Sequence, residues 1–231
     1  MDDQTAARAA ARRDAKRLLR LSRTGALAAF DGGLPLTTLV GVASDWDGAP
    51  LFLMSQLARH TRNLDADPRV SLLLTSTGGG GDPLNQPRIT LGGVVRRRVG
   101  EDGRARYVQR NPKAKLYVDF ADFSLRRLDV ETVHFNGGFG RADALTVADL
   151  MTPGDPAALR EAEPGLLAKA AALGDAALAK LAGGGRRVWR PVGLDAEGLD
   201  LGAGGLAARV DFEAPALEPQ AWLATLARLA G

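Results

Sequence analysis

Ser55, Arg59, His60, Thr61 and Asn63 crowd hydrogen-bonding side chains into one short stretch of chain. The apolar run Pro50–Met54 precedes them, and a second one, Arg69–Thr75, follows the dipeptide Asp67-Pro68. That order predicts a strand, a helix starting near Gln56, and a second strand, with the proline closing the helix. The first turn of a helix carries unpaired N–H groups and a partial positive charge. An arginine, a histidine and hydroxyl donors placed there suit an anion such as a phosphate or a carboxylate. The same residues also suit a plain amphipathic connecting helix, capped by Ser55, with its basic side chains in water. Arg88 opens a later strand, where it either reaches a bound anion or stands as a strand-end charge in water. His134 alternates with Val133 and Phe135, which turns it away from the apolar face and favours a structural role over metal ligation.

The elements that position these residues follow from periodicity and turn chemistry. Arg12–Thr24 reads as a helix stopped by Gly25. Ala26–Phe30 is a short strand ended by Asp31-Gly32-Gly33, and Leu36–Ser44 a longer one. Asp45–Gly48 is a turn, with Pro50–Met54 as its hairpin partner. Arg69–Thr75 is so continuously apolar that burial on both faces is expected. Thr77–Pro87 is a glycine-rich loop that lacks the Lys-Ser/Thr ending of a phosphate-binding loop. Arg88–Arg98, Phe123–Val130 and Glu131–Phe135 complete the sheet, with a short helix inside Arg104–Tyr117. After Leu150 the composition shifts to an alanine- and leucine-rich helix over Ala157–Leu181, broken near Gly174. Strands Arg187–Leu194, Leu199–Leu201 and Leu206–Phe212 follow, and then a closing helix, Pro219–Leu229. The chain is therefore divided into residues 1–150, mainly β, and residues 151–231, a small α-β-β-β-α module.

Four stretches in this order carry a resemblance: Ser55–Leu74, Pro87–Gly93, Tyr117–Phe123 and His134–Ala142. Together they resemble the FMN-binding split-barrel superfamily of pyridoxamine 5′-phosphate oxidase, and within it the HugZ-type haem-utilisation branch. The resemblance covers Arg12 to Leu150. It implies a mainly β, α+β chain: a six-stranded antiparallel split β-barrel with peripheral helices, followed by a small α+β domain. It further implies a homodimer with FMN in the cleft between subunits. Arg59 and His60 stand where the family carries an Arg-Lys pair for the flavin phosphate. Thr37 and Thr38 stand on the strand that usually adds another basic contact. The cofactor residues implied are Thr37, Thr38, Ser55, Arg59, His60, Thr61, Asn63 and Arg88, a weaker phosphate grip than the oxidase has.

The leading expectation is a flavin-dependent oxidoreductase of unknown substrate, with the redox chemistry supplied by the flavin and no catalytic acid or base identified. The segment by which the oxidase recognises pyridoxal phosphate has no counterpart, so vitamin B6 oxidation is not expected. The branch implies an alternative, haem bound or degraded in the same cleft. Some members ligate iron through a C-terminal histidine. Leu223–Gly231 holds none, which leaves imidazole ligation to His60 and His134. A third reading is an interaction module that kept the fold without the cofactor.

Composition narrows the partners. The 231 residues are 45% hydrophobic and 25% charged, as in a soluble globular protein. No apolar run is long enough to span a bilayer, and the N-terminal stretch does not read as a secretory signal. The chain has no cysteine, which excludes disulfides and thiolate metal sites and fits a cytoplasmic location. Two histidines make no metal cluster, so no directly bound metal ion is expected. The net charge is only +3, and the N-terminal arginines suit a solvated helix face better than nucleic acid.

Overall fold

The computed structural model describes residues 2–76, 82–98, 100–138 and 142–231. Two of the sequence features fall wholly or partly elsewhere: the loop glycines of 77–81, and residues 139–141 of the His134–Ala142 motif, lie outside the described residues. The chain divides into two compact units, Met1–Met151 and Thr152–Gly231.

In the first unit α1 (Asp2–Leu21) buries Ala11, Ala15, Leu18 and Leu19 at helical spacing. The helix ends before the expected stop. Gly25 lies instead inside β1 (Thr24–Asp31), where a Cβ would meet the Leu74 and Leu72 methyls at 2.7 and 2.8 Å. Its glycine is a packing requirement of the sheet. β1 turns through Gly32 and Gly33, both at positive φ, into β2 (Leu34–Gly41). The single strand expected over Leu36–Ser44 is two. At Val42 the backbone N–H bonds Arg23 O and the carbonyl accepts from Asn111 Nδ2, so the chain leaves β1. β3 (Ala43–Ser44) then pairs with β4 (Pro50–Ser55).

The remaining elements are α2 (Arg59–Ala66), β5 (Arg69–Thr75), β6 (Arg88–Arg97), α3 (Glu101–Arg110), β7 (Phe123–Asn136), β8 (Ala142–Asp143) and α4 (Val147–Leu150). The sheet is antiparallel throughout, in the order β2-β1-β5-β6-β7-β4-β3, with β8 beside β7. The strand count is therefore seven along the curled half-barrel, plus the two-residue β8, rather than six. The stretches read as Phe123–Val130 and Glu131–Phe135 are one strand carrying a bulge. Gly92 pairs with Thr132 and Gly93 with Val130, so Glu131 is left over. A Cβ on Gly93 would come 2.0 Å from Asp129 O, which is why glycine stands there.

β5 corrects another expectation. It is buried on one face only: Val70, Leu72 and Leu74 enter the core, while Arg69, Ser71, Leu73 and Thr75 face outward. The core joins them to Leu27, Val40, Phe52, Met54, Ile89, Leu91, Leu128 and Phe135. Each fully buried residue of this kind contributes about 1.5–3 kcal/mol. A smaller cluster, with Leu51, Tyr107, Ala114 and Leu125, packs α3 on the sheet. The β3–β4 turn is held by charge: Arg127 donates to Asp45 at 2.9 Å and to Asp47 at 2.6 Å.

The second unit contains α5 (Ala157–Ala171), α6 (Asp175–Leu181), β9 (Arg190–Asp195), β10 (Gly198–Ala203), β11 (Leu206–Asp211) and α7 (Pro219–Ala230). Its sheet runs β11-β10-β9. Arg209 is buried in it and pairs with Asp195 at 2.7 Å, and with Asp200 and Asp211 at 2.9 Å each. Trp222 is buried too and donates to Asp195 O. Losing one partner of such a buried set is far costlier than losing a surface pair.

Candidate functional site

Two regions of the first unit hold the residues singled out by sequence. The first surrounds the start of α2. Ser55 ends β4 opposite Phe123, donates its hydroxyl hydrogen to Asp122 Oδ2, and accepts from Leu57 N at 3.1 Å. It therefore fixes the turn rather than capping the helix, whose N-cap is Ala58 with no side-chain bond. Arg59 begins α2 and pairs with Asp31 at 2.5 Å, so its charge is already partnered. His60 is half-buried; burial first, and then the Arg126 guanidinium, hold its pKa below the ordinary value.

Thr61 is fully buried, and its hydroxyl has no hydrogen-bond partner among the described residues. Asn63 Nδ2 is in the same condition. Beneath the helix, Ser124 and Arg126 lie two residues apart on one face of β7, and both are buried. Arg126 Nη2 reaches Asp65, one helical turn beyond Thr61, at 2.7 Å. Arg126 Nε and Ser124 Oγ are unpartnered as well. Buried donors of this kind call for an acceptor, whether a water, an anion or a ligand group. Sequence reading missed Ser124 and Arg126, which are distant in the chain from α2.

The second region is the outward face of the sheet. Cross-strand register sets Leu39, Ala26, Leu73, Thr90 and His134 side by side over five strands. A parallel row holds Thr37, Ala28, Ser71, Gly92 and Thr132. Leu39 is 77% exposed, Phe30 43% and Leu73 36%. His134 is exposed too, and its imidazole has no hydrogen-bond partner among the described residues. The expected alternation is present, since Phe135 is buried beside it.

Arg88 belongs to this face: Ile89 is buried, and Arg88 pairs with Asn136, diagonally beside His134. Its Nη1 donates to Leu84 O at 2.8 Å and to Gln86 O at 3.5 Å. Thr37 shares the outward face. Thr38 lies on the other side of β2, opposite Leu27, and its hydroxyl is buried without a partner. The structure thus gathers Ser55, Arg59, His60, Thr61 and Asn63 around α2, and sets Thr37 and Arg88 on the outward face with His134. Part of the signal for that face was present in the sequence: alternate residues of β1, Ala26, Ala28 and Phe30, are small or apolar where charged ones would suit water. Among the described residues no helix is long and apolar enough to cross a membrane.

Comparison with known proteins fits this architecture. Residues 6–151 match the model of a family described as CREG, beta-barrel. Over 148 residues the chain is 34% identical to the chloroplastic heme oxygenase HOZ of Arabidopsis thaliana. That match covers 61% of this chain and 44% of the relative, so the chain spans less than half of that protein's length. A solved structure of a protein of unknown function from Agrobacterium tumefaciens is 34% identical, with a TM-score of 0.82 over 95% of this chain and 94% of that one. A heme binding protein from Mycobacterium smegmatis is 31% identical, with a TM-score of 0.58 over 95% and 96%. With the match over Thr5's neighbour Ala6 to Met151 taking in the whole curled sheet, this chain belongs to the CREG beta-barrel family.

Proposed function

We propose that this chain binds haem on the outward face of its barrel, and that a second copy of the chain closes the site. The observation that carries the reading is the row Leu39–Ala26–Leu73–Thr90–His134, in which exposed apolar and small side chains end at an unpaired imidazole. A planar macrocycle laid on such a face covers apolar surface that water otherwise wets, about 25 cal/mol per Å². The small neighbours Thr90 and Gly92 leave room for it, and Arg88 offers a guanidinium for an acidic edge group. Haem held there supplies its own iron chemistry, while the protein sets its orientation and surroundings. An isologous pair would turn the same apolar face of each copy inward. The oxygenase and the heme binding protein among the relatives support the reading, as does the resemblance to the HugZ-type branch. Titration with haemin tests it. A saturable Soret band that stays with a dimer through gel filtration is the expected result; haemin that passes through unretained overturns it.

A second reading, FMN, is favoured by one observation: Thr61 Oγ1 and Asn63 Nδ2 are buried donors without acceptors near the first turn of α2. A flavin phosphate would satisfy such donors, although Arg59 would have to share its charge with Asp31. Flavin retained through gel filtration, and loosened by about 1–3 kcal/mol in Arg59→Ala, would favour this reading. No retention would reject it.

A further inference from the structure

We infer that His134 is the imidazole that ligates the haem iron, with Arg88 binding a propionate at the rim of the same face. The inference rests on the haem reading above and assigns its residues. The chain has two histidines, and the structure treats them differently. His60 lies in the first turn of α2, half-buried, with the Arg126 guanidinium near enough to act on it. His60 sits among the polar groups of α2 and beside the turn held by Ser55 and Asp122, not on an exposed apolar row.

His134 stands at the β7 end of the outward row, exposed on the sheet surface. Its two chain neighbours face the other way, Phe135 into the core and Val133 packed against it. Thr90 is its cross-strand partner, Thr132 lies two residues before it, and Leu73 is the next residue of the row. Adjacent strands are about 4.8 Å apart, so Thr90 and Leu73 lie within about 10 Å of the imidazole. These side chains would line the surface next to an iron that His134 holds.

The Arg88 guanidinium is one strand over and two residues along. Two carbonyls hold its Nη1, and its Nε and Nη2 make no hydrogen bond among the described residues. Those two groups form the edge that meets a carboxylate bidentately. The event is a coordination bond from a ring nitrogen to ferric iron plus an ion pair, with no change of oxidation state.

The test is haemin titration of the full chain and three variants, His134→Ala, His60→Ala and Arg88→Gln, with circular dichroism to confirm folding. His134→Ala is expected to move the Soret band and weaken binding at least tenfold, and added imidazole is expected to restore the original band. His60→Ala is expected to keep the wild-type spectrum. Arg88→Gln is expected to weaken binding several-fold without moving the band. An unchanged spectrum in His134→Ala overturns the assignment while leaving haem binding intact. A moved band in His60→Ala overturns it in favour of the other imidazole. Wild-type protein that retains no haemin overturns both the assignment and the reading beneath it.

Discussion

The surroundings of α2 and the outward sheet face are opposites. Around α2 the polar groups are dense and mostly buried: Thr61, Ser124 and Arg126 are sealed from solvent, and four donor atoms there lack partners. On the sheet face the row from Leu39 to His134 is apolar or small apart from its imidazole, and Arg69 and Arg88 are charged side chains of the same face. A buried donor cluster selects a compact acceptor. An open row of apolar and small side chains selects a broad apolar surface, with its charged groups needing partners at the edge. The density of hydrogen-bonding residue types draws attention to α2, yet the exposed apolar side chains Leu39, Phe30 and Leu73 lie on the sheet face.

The largest effect that would break this contrast is expected from Leu73→Glu. A carboxylate in the middle of the outward row would have to be desolvated in any closed dimer. Haemin retention and dimerisation should both be lost, while the melting temperature stays near wild type, since Leu73 is outside the core. Light scattering on the variant gives the answer, and a dimer that still carries haemin would show that the face is not the interface. A smaller effect is expected on the α2 side. Thr61→Val removes a buried hydroxyl without a partner, and should raise stability by about 1 kcal/mol in urea unfolding. A loss of similar size would instead reveal a water or anion satisfying that hydroxyl.

The smallest effect concerns pH. His60 titrates below its ordinary value in the folded chain. Between the unfolded value near 6.5 and that lower folded value, the unfolded chain binds more protons. His60 therefore imposes no stability cost above about pH 6.5, and stability falls as pH drops below it. Asp67 and Asp149, both held at about 2, lose their contributions only in the more acidic carboxylate range. Chemical denaturation between pH 7.5 and 5.5 should show the histidine's slope, and His60→Gln should flatten it.

Much of the fold could be read from residue order. Turn residues at Asp31–Gly33 and Asp45–Gly48 mark their hairpins, Asp67-Pro68 closes α2, and Gly174 separates the two helices of the second unit. What escaped depends on long-range geometry. No local pattern tells a strand that Val42 will bond Arg23 and change partner, or that Ser55 will prefer Asp122 to a helix N–H. β5 shows the limit most usefully. Its apolar run reads as buried on both faces, and in the single chain only one face is. Of its outward residues Leu73 is the apolar one, and it is left 36% exposed. Of the candidate residues, those clustered in sequence around α2 were legible together. The link between Arg88 and His134 is made by strand pairing across forty-six residues and has no local signature.

The leftover residue Glu131 has a consequence for the whole strand that carries it. Before it, the even-numbered residues Ser124, Arg126 and Leu128 are on the interior side; after it, the odd-numbered Phe135 is, and the even-numbered His134 looks out. One residue of chain length thus acts as a parity switch along β7. Were Glu131 instead paired in a regular ladder, the alternation would run straight through, carry the imidazole into the hydrocarbon interior and push a phenylalanine into water. The insertion that bends the strand is also what gives one continuous ribbon a buried guanidinium at one end and an available imidazole at the other.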